Sequence, residues 1–262
     1  MKIIMIGAGN LATNLGKALL DAGHDIMQVY SRTEESASAL AVMLGGTPIT
    51  DLNKVNSEAD VYIVALKDSV LSDLLPLLCR DKSEKVFLHT AGSVPLSIFE
   101  GLTSHYGVIY PMQTFSKSRL VDFSSIPCFI EGNDDIALET AMGFANSISN
   151  RVYTIDSTAR KYLHLAAVFA CNFVNHCYDI SSEILDKYGL KFDVMLPLID
   201  ETARKVHFMS PRKAQTGPAV RYDENVIRAQ SELLKDNPVF KQIYELMSMS
   251  ICHEAQKKEN EE

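Results

Sequence analysis

Residues 3–12 read Ile-Ile-Met-Ile-Gly-Ala-Gly-Asn-Leu-Ala. A short β-branched run ends in Gly-x-Gly-x-x-Ala and passes directly into a helical pattern. The chain is therefore committed, from its first residues, to a strand, a tight turn and a helix. Gly7 permits the turn, and Gly9 lets a pyrophosphate approach the backbone where Asn10 and Leu11 open the helix. Ala12 stands where a third glycine is often found, a replacement the fingerprint tolerates. The context is complete, with a strand over 2–6, a helix over 10–22 and a second strand over 25–30. The same residues also fit a glycine turn in a doubly wound fold that takes another ligand or none.

The periodicity of the chain changes once. Up to residue 154, short apolar runs alternate with amphipathic helical segments, the pattern of a parallel sheet covered on both faces. Strands are predicted over 2–6, 25–30, 61–66, 85–89, 107–110, 128–131 and 151–154. Helices are predicted over 36–45, 69–79 and 135–147, with Gly45-Gly46 as a helix stop. From Asp156 the strand signal ends. Asp156 can cap a helix that need not break before Gly189, about 32 residues or ~48 Å at 1.5 Å per residue. Further helices are predicted over 192–208, over 224–235 behind Asp223, and over 238–257 with Asn237 as cap and Pro238 in the first turn. The predicted fold class is α/β, a Rossmann-like, doubly wound, mostly parallel sheet followed by an all-helical domain. The predicted domains are 1–154, which binds NAD(P), and 155–262, which serves substrate binding and dimerisation. The length of 262 residues and a hydrophobic content of 47% suffice for such cores.

Charge and cysteine usage narrow the partners. A formal net charge of −8 argues against nucleic acid, whose binding draws on clustered Lys and Arg. The five cysteines are odd in number, contain no C-x-x-C pair and do not cluster with histidines, so neither a disulfide framework nor a metal site is expected. The first apolar run breaks at Gly7, short of the ~7–15 residues of a signal-peptide core or the ~20 of a membrane span, so a cytoplasmic location without membrane contact is expected. The charged run 257–262 reads as a solvated tail.

The end of the second strand bears on which dinucleotide is bound. An NAD site usually places Asp or Glu there, whereas this chain has Ser31-Arg32-Thr33. Arg32 can pair with a 2′-phosphate while Ser31 and Thr33 donate to its oxygens, so NADP (NADPH) is the expected cofactor. The alternative has Ser31 starting a turn and capping the next helix. The nicotinamide end should meet Ala65, Leu66 and Lys67, the segment His89-Thr90-Ala91-Gly92, and Tyr110-Pro111-Met112-Gln113, in which small residues admit a cofactor. Ala91 is expected to contact the cofactor and Gln113 the substrate, while His89 reads more readily as a core residue. On the long helix, 165–174 is apolar on nearly every side and is expected to be buried. At 100° per residue Lys161, His164, Asn172 and Asn175 share a stripe there with Val168; His164 reads equally as a site residue or a core histidine, and Asn172 and Asn175 read more readily as holding helices in register.

Ile-Gly-Ala-Gly-Asn-Leu-Ala, Ser-Arg-Thr and Ala-Leu-Lys-Asp resemble the superfamily of pyrroline-5-carboxylate reductases, β-hydroxyacid dehydrogenases and deazaflavin-dependent NADP oxidoreductases. The run 161–172, then Pro197-Leu198 and 216–223, is similar to a bacterial family of NADP oxidoreductases. Its helical domain has no assigned function and resembles the C-terminal domain of 6-phosphogluconate dehydrogenase. The Ser-Gly-Ser-Gly-Pro-Ala and Gly-Gly-Thr-Thr segments of pyrroline-5-carboxylate reductases are missing, which argues against proline synthesis. Four residues beyond Lys161 stands Leu165 rather than the Asn of β-hydroxyacid dehydrogenases, so Lys161 does not inherit their catalytic role. The resemblance implies hydride transfer between nicotinamide and a carbonyl or imine carbon of a small metabolite. His164 would handle the proton, and Gln113 and Asn172 would hold the polar end of the substrate. Arg221, beside the Gly217-Pro218 turn, suits a bidentate pair with an anionic substrate, or an ion pair with Asp223 or Glu224. The long helix, the methionines at 247 and 249 and the habit of relatives imply a homodimer. A noncatalytic NADP-binding sensor is the alternative function.

Overall fold

The computed structural model describes residues 1–259; of the run expected as a solvated tail, residues 260–262 lie outside the described residues. Lys257 lies in the last helix and donates to Glu254 Oε1 at 2.8 Å. Contacts divide the chain into two units, Met1–Asn172 and the residues from Phe173 onward. Strands do stop at Thr154, as read from the sequence, but the contact boundary falls later, inside the helical run that follows.

The first unit is built on eight strands: β1 Lys2–Ile6, β2 Asp25–Tyr30, β3 Thr47–Ile49, β4 Val61–Val64, β5 Val86–His89, β6 His105–Pro111, β7 Cys128–Gly132 and β8 Val152–Thr154. They form one sheet in the order β3-β2-β1-β4-β5-β6-β7-β8. Neighbours run parallel except β6 and β7, which pair antiparallel with Tyr110 opposite Phe129. The order reverses between β1 and β4, the place where doubly wound sheets bind ligands beyond the strand ends. The pleat alternates side chains between two apolar layers. Ile3 and Met5 face Leu15, Leu40 and Phe144 of α1 (Asn10–Asp21), α2 (Glu34–Leu44) and α4 (Asp135–Ile148). Ile4 and Ile6 face Tyr62, Phe87, Phe99 and the leucines of α3 (Asp68–Leu78). Seven of the eight strands were expected. The eighth, β3, is three residues long and includes Pro48 directly after the Gly45-Gly46 helix stop, so it carries no alternation to read.

Asp156 caps α5 (Ser157–Ala167) by accepting from the Ala159 amide at 2.7 Å. The helical run continues as a π segment, Val168–Phe173, and then α6 (Val174–Asp186), and Gly189 follows at φ 67°. The expected long helix is thus present with a widened turn inside it, so a strict 100° count does not hold across 168–173. The expectation that 165–174 is buried is not met. Leu165 is 51% exposed and Phe169 62%.

The start of α5 is fastened to the sheet by one charged pair. Arg160 is 1% exposed and its Nη1 pairs with Glu131 Oε2 of β7. Its Nη2 donates to the Val94 carbonyl at 2.6 Å and to Ser157 Oγ at 3.3 Å. Glu131 Oε1 also accepts from the Ser157 amide at 2.8 Å, and Ser157 Oγ accepts from the Leu96 amide at 2.9 Å. The network joins β7, α5 and the loop after β5.

The second unit contains, beyond α6, helices α7 (Leu196–Lys205), α8 (Pro211–Ala214), α9 (Glu224–Glu232) and α10 (Pro238–Glu259). Asp223 caps α9, accepting from the Val226 amide at 3.3 Å, and Asn237 Oδ1 accepts from Phe240 at 3.2 Å. Ser231 of α9 donates to Glu245 of α10 at 2.6 Å, and Cys252 donates to the Ala219 carbonyl at 3.0 Å.

Arg160→Met should destabilise the fold by about 3–5 kcal/mol, the cost of leaving a mostly buried carboxylate without its cation. Urea unfolding followed by circular dichroism measures this. A loss below ~1 kcal/mol would show that the pair does not fasten the helix.

Candidate functional site

Gly7 takes φ 119°, a region L side chains rarely adopt, and a Cβ there would lie 2.3 Å from the Ala65 carbonyl oxygen. The turn after β1 therefore packs against the end of β4 without a side chain between them. Gly9 differs. It sits in extended backbone at φ −82° and a Cβ on it would meet nothing within 4 Å. Open space lies in front of the residue whose backbone the sequence assigned to a pyrophosphate. Gly9 is the N-cap of α1, no side chain caps the helix, and its first turn holds no acid. The first amide bonded back is Thr13 to the Gly9 carbonyl at 3.0 Å, so those of Asn10, Leu11 and Ala12 remain at the helix end. An uncapped helix N-terminus with its positive dipole end and an unfilled glycine suits a phosphate, so the residues present fit a dinucleotide.

Ser31, Arg32 and Thr33 follow β2 as expected. The N-cap of α2 is Thr33 rather than Ser31, and its side chain makes no cap hydrogen bond. Ser31 therefore does not cap α2, and its backbone amide donates to the Ile49 carbonyl at 3.1 Å. Arg32 is exposed and, among the described residues, forms no ion pair.

A cavity of about 610 Å³ runs from this cradle to the ends of the central strands, bounded by Asn10, Leu11, Tyr110, Gln113, His164 and Asn172 among others. Two cofactor-side residues and three of the four substrate-side candidates thus share one wall. His164 is partly buried, with Nδ1 2.9 Å from the Tyr110 hydroxyl. Gly92 lies against the imidazole, since a Cβ there would come within 2.5 Å of Nδ1. Burial and the nearby Asp68 carboxylate raise the Tyr110 pKa, while the Arg160 guanidinium opposes them. Gln113 is exposed and accepts from its neighbour Thr114 at 2.8 Å, and Asn172 is exposed beside Cys171 in the cavity wall. The strand expected over 61–66 stops at Val64, so Ala65 and Leu66 follow β4 half-buried, Lys67 is the exposed N-cap of α3, and Asp68 accepts from Ser93.

His89 is a packing residue, as its apolar run suggests. It is fully buried, accepts from the Ala91 amide at Nδ1 (3.1 Å) and lies 5.9 Å from the Phe99 ring. Burial, reinforced by the Arg160 charge, pushes its pKa down to about 3, so it stays neutral. Ala91 is 7% exposed and contributes backbone. Lys161 and Asn175 are exposed, and of the predicted stripe only His164 and Asn172 line the cavity. Arg221 belongs to the second unit, where it is exposed after Gly217, which takes φ 110°. Its expected ion pair with Asp223 or Glu224 is not formed. Sequence reasoning passed over Tyr110 and Gly92 as site residues, although both lie in segments it singled out. A lone tyrosine and a glycine closing strands carry no spacing signal.

Residues 2–91 match the family model described as NADP oxidoreductase, coenzyme F420-dependent, and residues 126–251 match a domain of unknown function, DUF2520. A Bacteroides fragilis protein assigned as an NADP oxidoreductase is 56% identical over 96% of this chain and 98% of its own, with a TM-score of 0.93. The chain belongs to this NADP oxidoreductase family. NADP is the cofactor of the family. Two more distant structures share the fold: an imine reductase from Myxococcus stipitatus in complex with NADP+, at 16% identity over 98% of this chain and 95% of its own (TM-score 0.66), and a pyrroline-5-carboxylate reductase from Streptococcus pyogenes, at 13% over 97% and 98% (TM-score 0.64). No curated protein matches the chain.

One titration of NADPH and NADH checks both ends of the cradle. Gly9→Val should abolish binding of both with the fold intact, because its side chain enters the open space and disturbs nothing else. Arg32→Ala should weaken NADPH by about 1.5–3 kcal/mol and spare NADH. Unchanged affinity in the first, or equal losses in the second, would contradict the assignments.

Proposed function

We propose that the chain reduces a carbonyl or imine carbon of a small metabolite at the expense of NADPH, as a homodimer in the cytoplasm. The observation that carries the reading is the single cavity joining Asn10 and Leu11 of the cradle to Gln113, His164 and Asn172. When bound, the cofactor supplies the hydride. Residues 1–154 hold it: Gly7, Gly9, Asn10, Leu11 and Ala12 at the pyrophosphate, Ser31, Arg32 and Thr33 at the 2′-phosphate, and Ala65, Leu66, Lys67 and Ala91 toward the nicotinamide. Residues 155–262 serve substrate and assembly.

His164 delivers the proton to the heteroatom that gains charge as its carbon is reduced. Gln113 and Asn172 orient the polar end of the substrate. Arg221, exposed and unpaired on a rigid turn, is assigned to a substrate carboxylate, where its fork gives a bidentate pair. Dimerisation is supported by large apolar side chains exposed on a single copy, among them Phe208 at 80%, Leu246 at 62% and Met249 at 60% exposure. Five free cysteines suit a reducing compartment.

The test is loss of NADPH absorbance across a panel of oxo acids, cyclic imines and aldehydes, on protein whose solution mass is also measured. We expect turnover of at least one class, a drop of ~10²–10⁴-fold in kcat for His164→Ala with NADPH affinity unchanged, and a two-chain mass. NADPH that binds but is never oxidised would overturn the catalytic reading, undiminished turnover in His164→Ala would remove that residue's role, and a monomeric mass would remove the dimer.

A further inference from the structure

His164 approaches the Tyr110 hydroxyl through Nδ1, at 2.9 Å. The same edge faces Gly92, where an added Cβ would stand 2.5 Å from Nδ1, 2.7 Å from Cγ and 3.0 Å from the histidine Cβ. The ring is thus backed by main chain, with a hydroxyl on Nδ1, and Nε2 is the nitrogen left for a substrate. The tyrosine hydroxyl has one other acceptor, Met112 Sδ at 3.9 Å. A thioether is a weak acceptor and an imidazole nitrogen a strong one, so the hydroxyl hydrogen belongs on the side of Nδ1. A neutral imidazole that accepts at Nδ1 carries its own hydrogen on Nε2.

We infer that Tyr110 is the proton source of the reduction and that His164 relays its proton. As the substrate heteroatom gains charge, the Nε2–H bond breaks and an O–H or N–H bond forms on the substrate. The Tyr110 O–H bond breaks and Nδ1–H forms, so the imidazole stays neutral and changes tautomer. The hydride comes from NADPH. The tyrosinate then recovers its proton from Nδ1, and Nε2 takes one from water, whose O–H bond breaks and whose hydroxide leaves to solvent. An alkoxide or amide product is a far stronger base than a tyrosinate, so the transfer runs downhill. The charged groups acting on Tyr110 are Asp68, at the start of α3, and Arg160, on α5 with His164. Asp68 favours the protonated hydroxyl and Arg160 the tyrosinate, and burial keeps the hydroxyl protonated at neutral pH.

The inference rests on the reductase reading for its chemistry, but its first test does not need a substrate. In protein labelled with ¹⁵N-histidine and saturated with NADP+, long-range proton–nitrogen correlation reads the His164 tautomer above neutral pH. We expect hydrogen on Nε2 in the native chain and a mixture of tautomers in Tyr110→Phe; hydrogen on Nδ1 in the native chain would overturn the relay. The second test is the pH profile of kcat with whichever panel compound is reduced. The relay uses the neutral imidazole, so it predicts a rate that does not fall as pH rises above the ordinary histidine range, whereas an imidazolium acid predicts a fall above pH ~6.5. Tyr110→Phe should lose ~10²–10⁴-fold in kcat, keep its NADPH affinity, and acquire the falling profile that the native chain lacks. A merely structural tyrosine would lower stability without changing the shape of the profile, and a native profile that falls through the histidine range would overturn the inference. If no compound is reduced, the reductase reading fails and the tautomer measurement still decides for or against the hydrogen placement.

Discussion

The candidate site hangs on the ion pair between Glu131 and Arg160. Arg160 stands one helical turn before His164 on α5, so the pair fixes the height and rotation of the segment that presents the imidazole. Burying a guanidinium is costly unless its hydrogens are taken up, and here a carboxylate, the Val94 carbonyl and Ser157 Oγ share them. Because Val94 and Leu96 belong to the loop that follows Gly92, one network positions both the helix carrying His164 and the glycine on which its ring lies. Of the guanidinium nitrogens only Arg160 Nε has no hydrogen-bond partner among the described residues. Such a pair adds less to net stability than to uniqueness of arrangement, which is what a proton-transfer geometry requires.

The cofactor side works by a different principle. It is made of backbone and empty space: Gly7 closes the turn on Ala65, Gly9 leaves room, and the α1 amides supply donors that need no side-chain ordering. Asn14 steadies this end by donating to the carbonyls of Asn10 and Ser116 at 2.9 and 3.0 Å and accepting from Val121 at 3.1 Å. The loop after β6, which carries Gln113, is thereby tied to the helix that opens the cradle. One sheet end thus brings an uncapped helix N-terminus and a set of neutral hydrogen-bonding side chains into a common cavity.

The cradle was legible in the sequence because its requirements are local. A glycine forced to positive φ, a strand before it and a helix after it fall within ten residues, and the strands around them are buried on both faces and so read as continuous apolar runs. The Asp156, Asp223 and Asn237 caps were legible for the same reason. The partner of Arg160 lies 29 residues away on another element, and no periodicity links the two. The π segment over Val168–Phe173 has no side-chain signature, and it spoiled a stripe counted at a uniform angle. The apolar stretch 165–174 was read as buried because composition reports what a surface prefers to contact. Whether the same chain or a second copy supplies that contact is not written in the residues themselves. Tyr110 escaped notice because a tyrosine closing a β-strand is ordinary until a histidine 54 residues later is found beside it.

The central claim is that the dinucleotide cradle and the His164–Tyr110 pair serve one reaction in one cavity. A crystal structure of the chain with NADP+ tests it most directly. The account predicts the pyrophosphate over Gly9 and the nicotinamide ring inside the cavity, with its C4 edge turned toward His164 and Tyr110. A nicotinamide lying outside that cavity, with His164 and Tyr110 facing only protein, would contradict it.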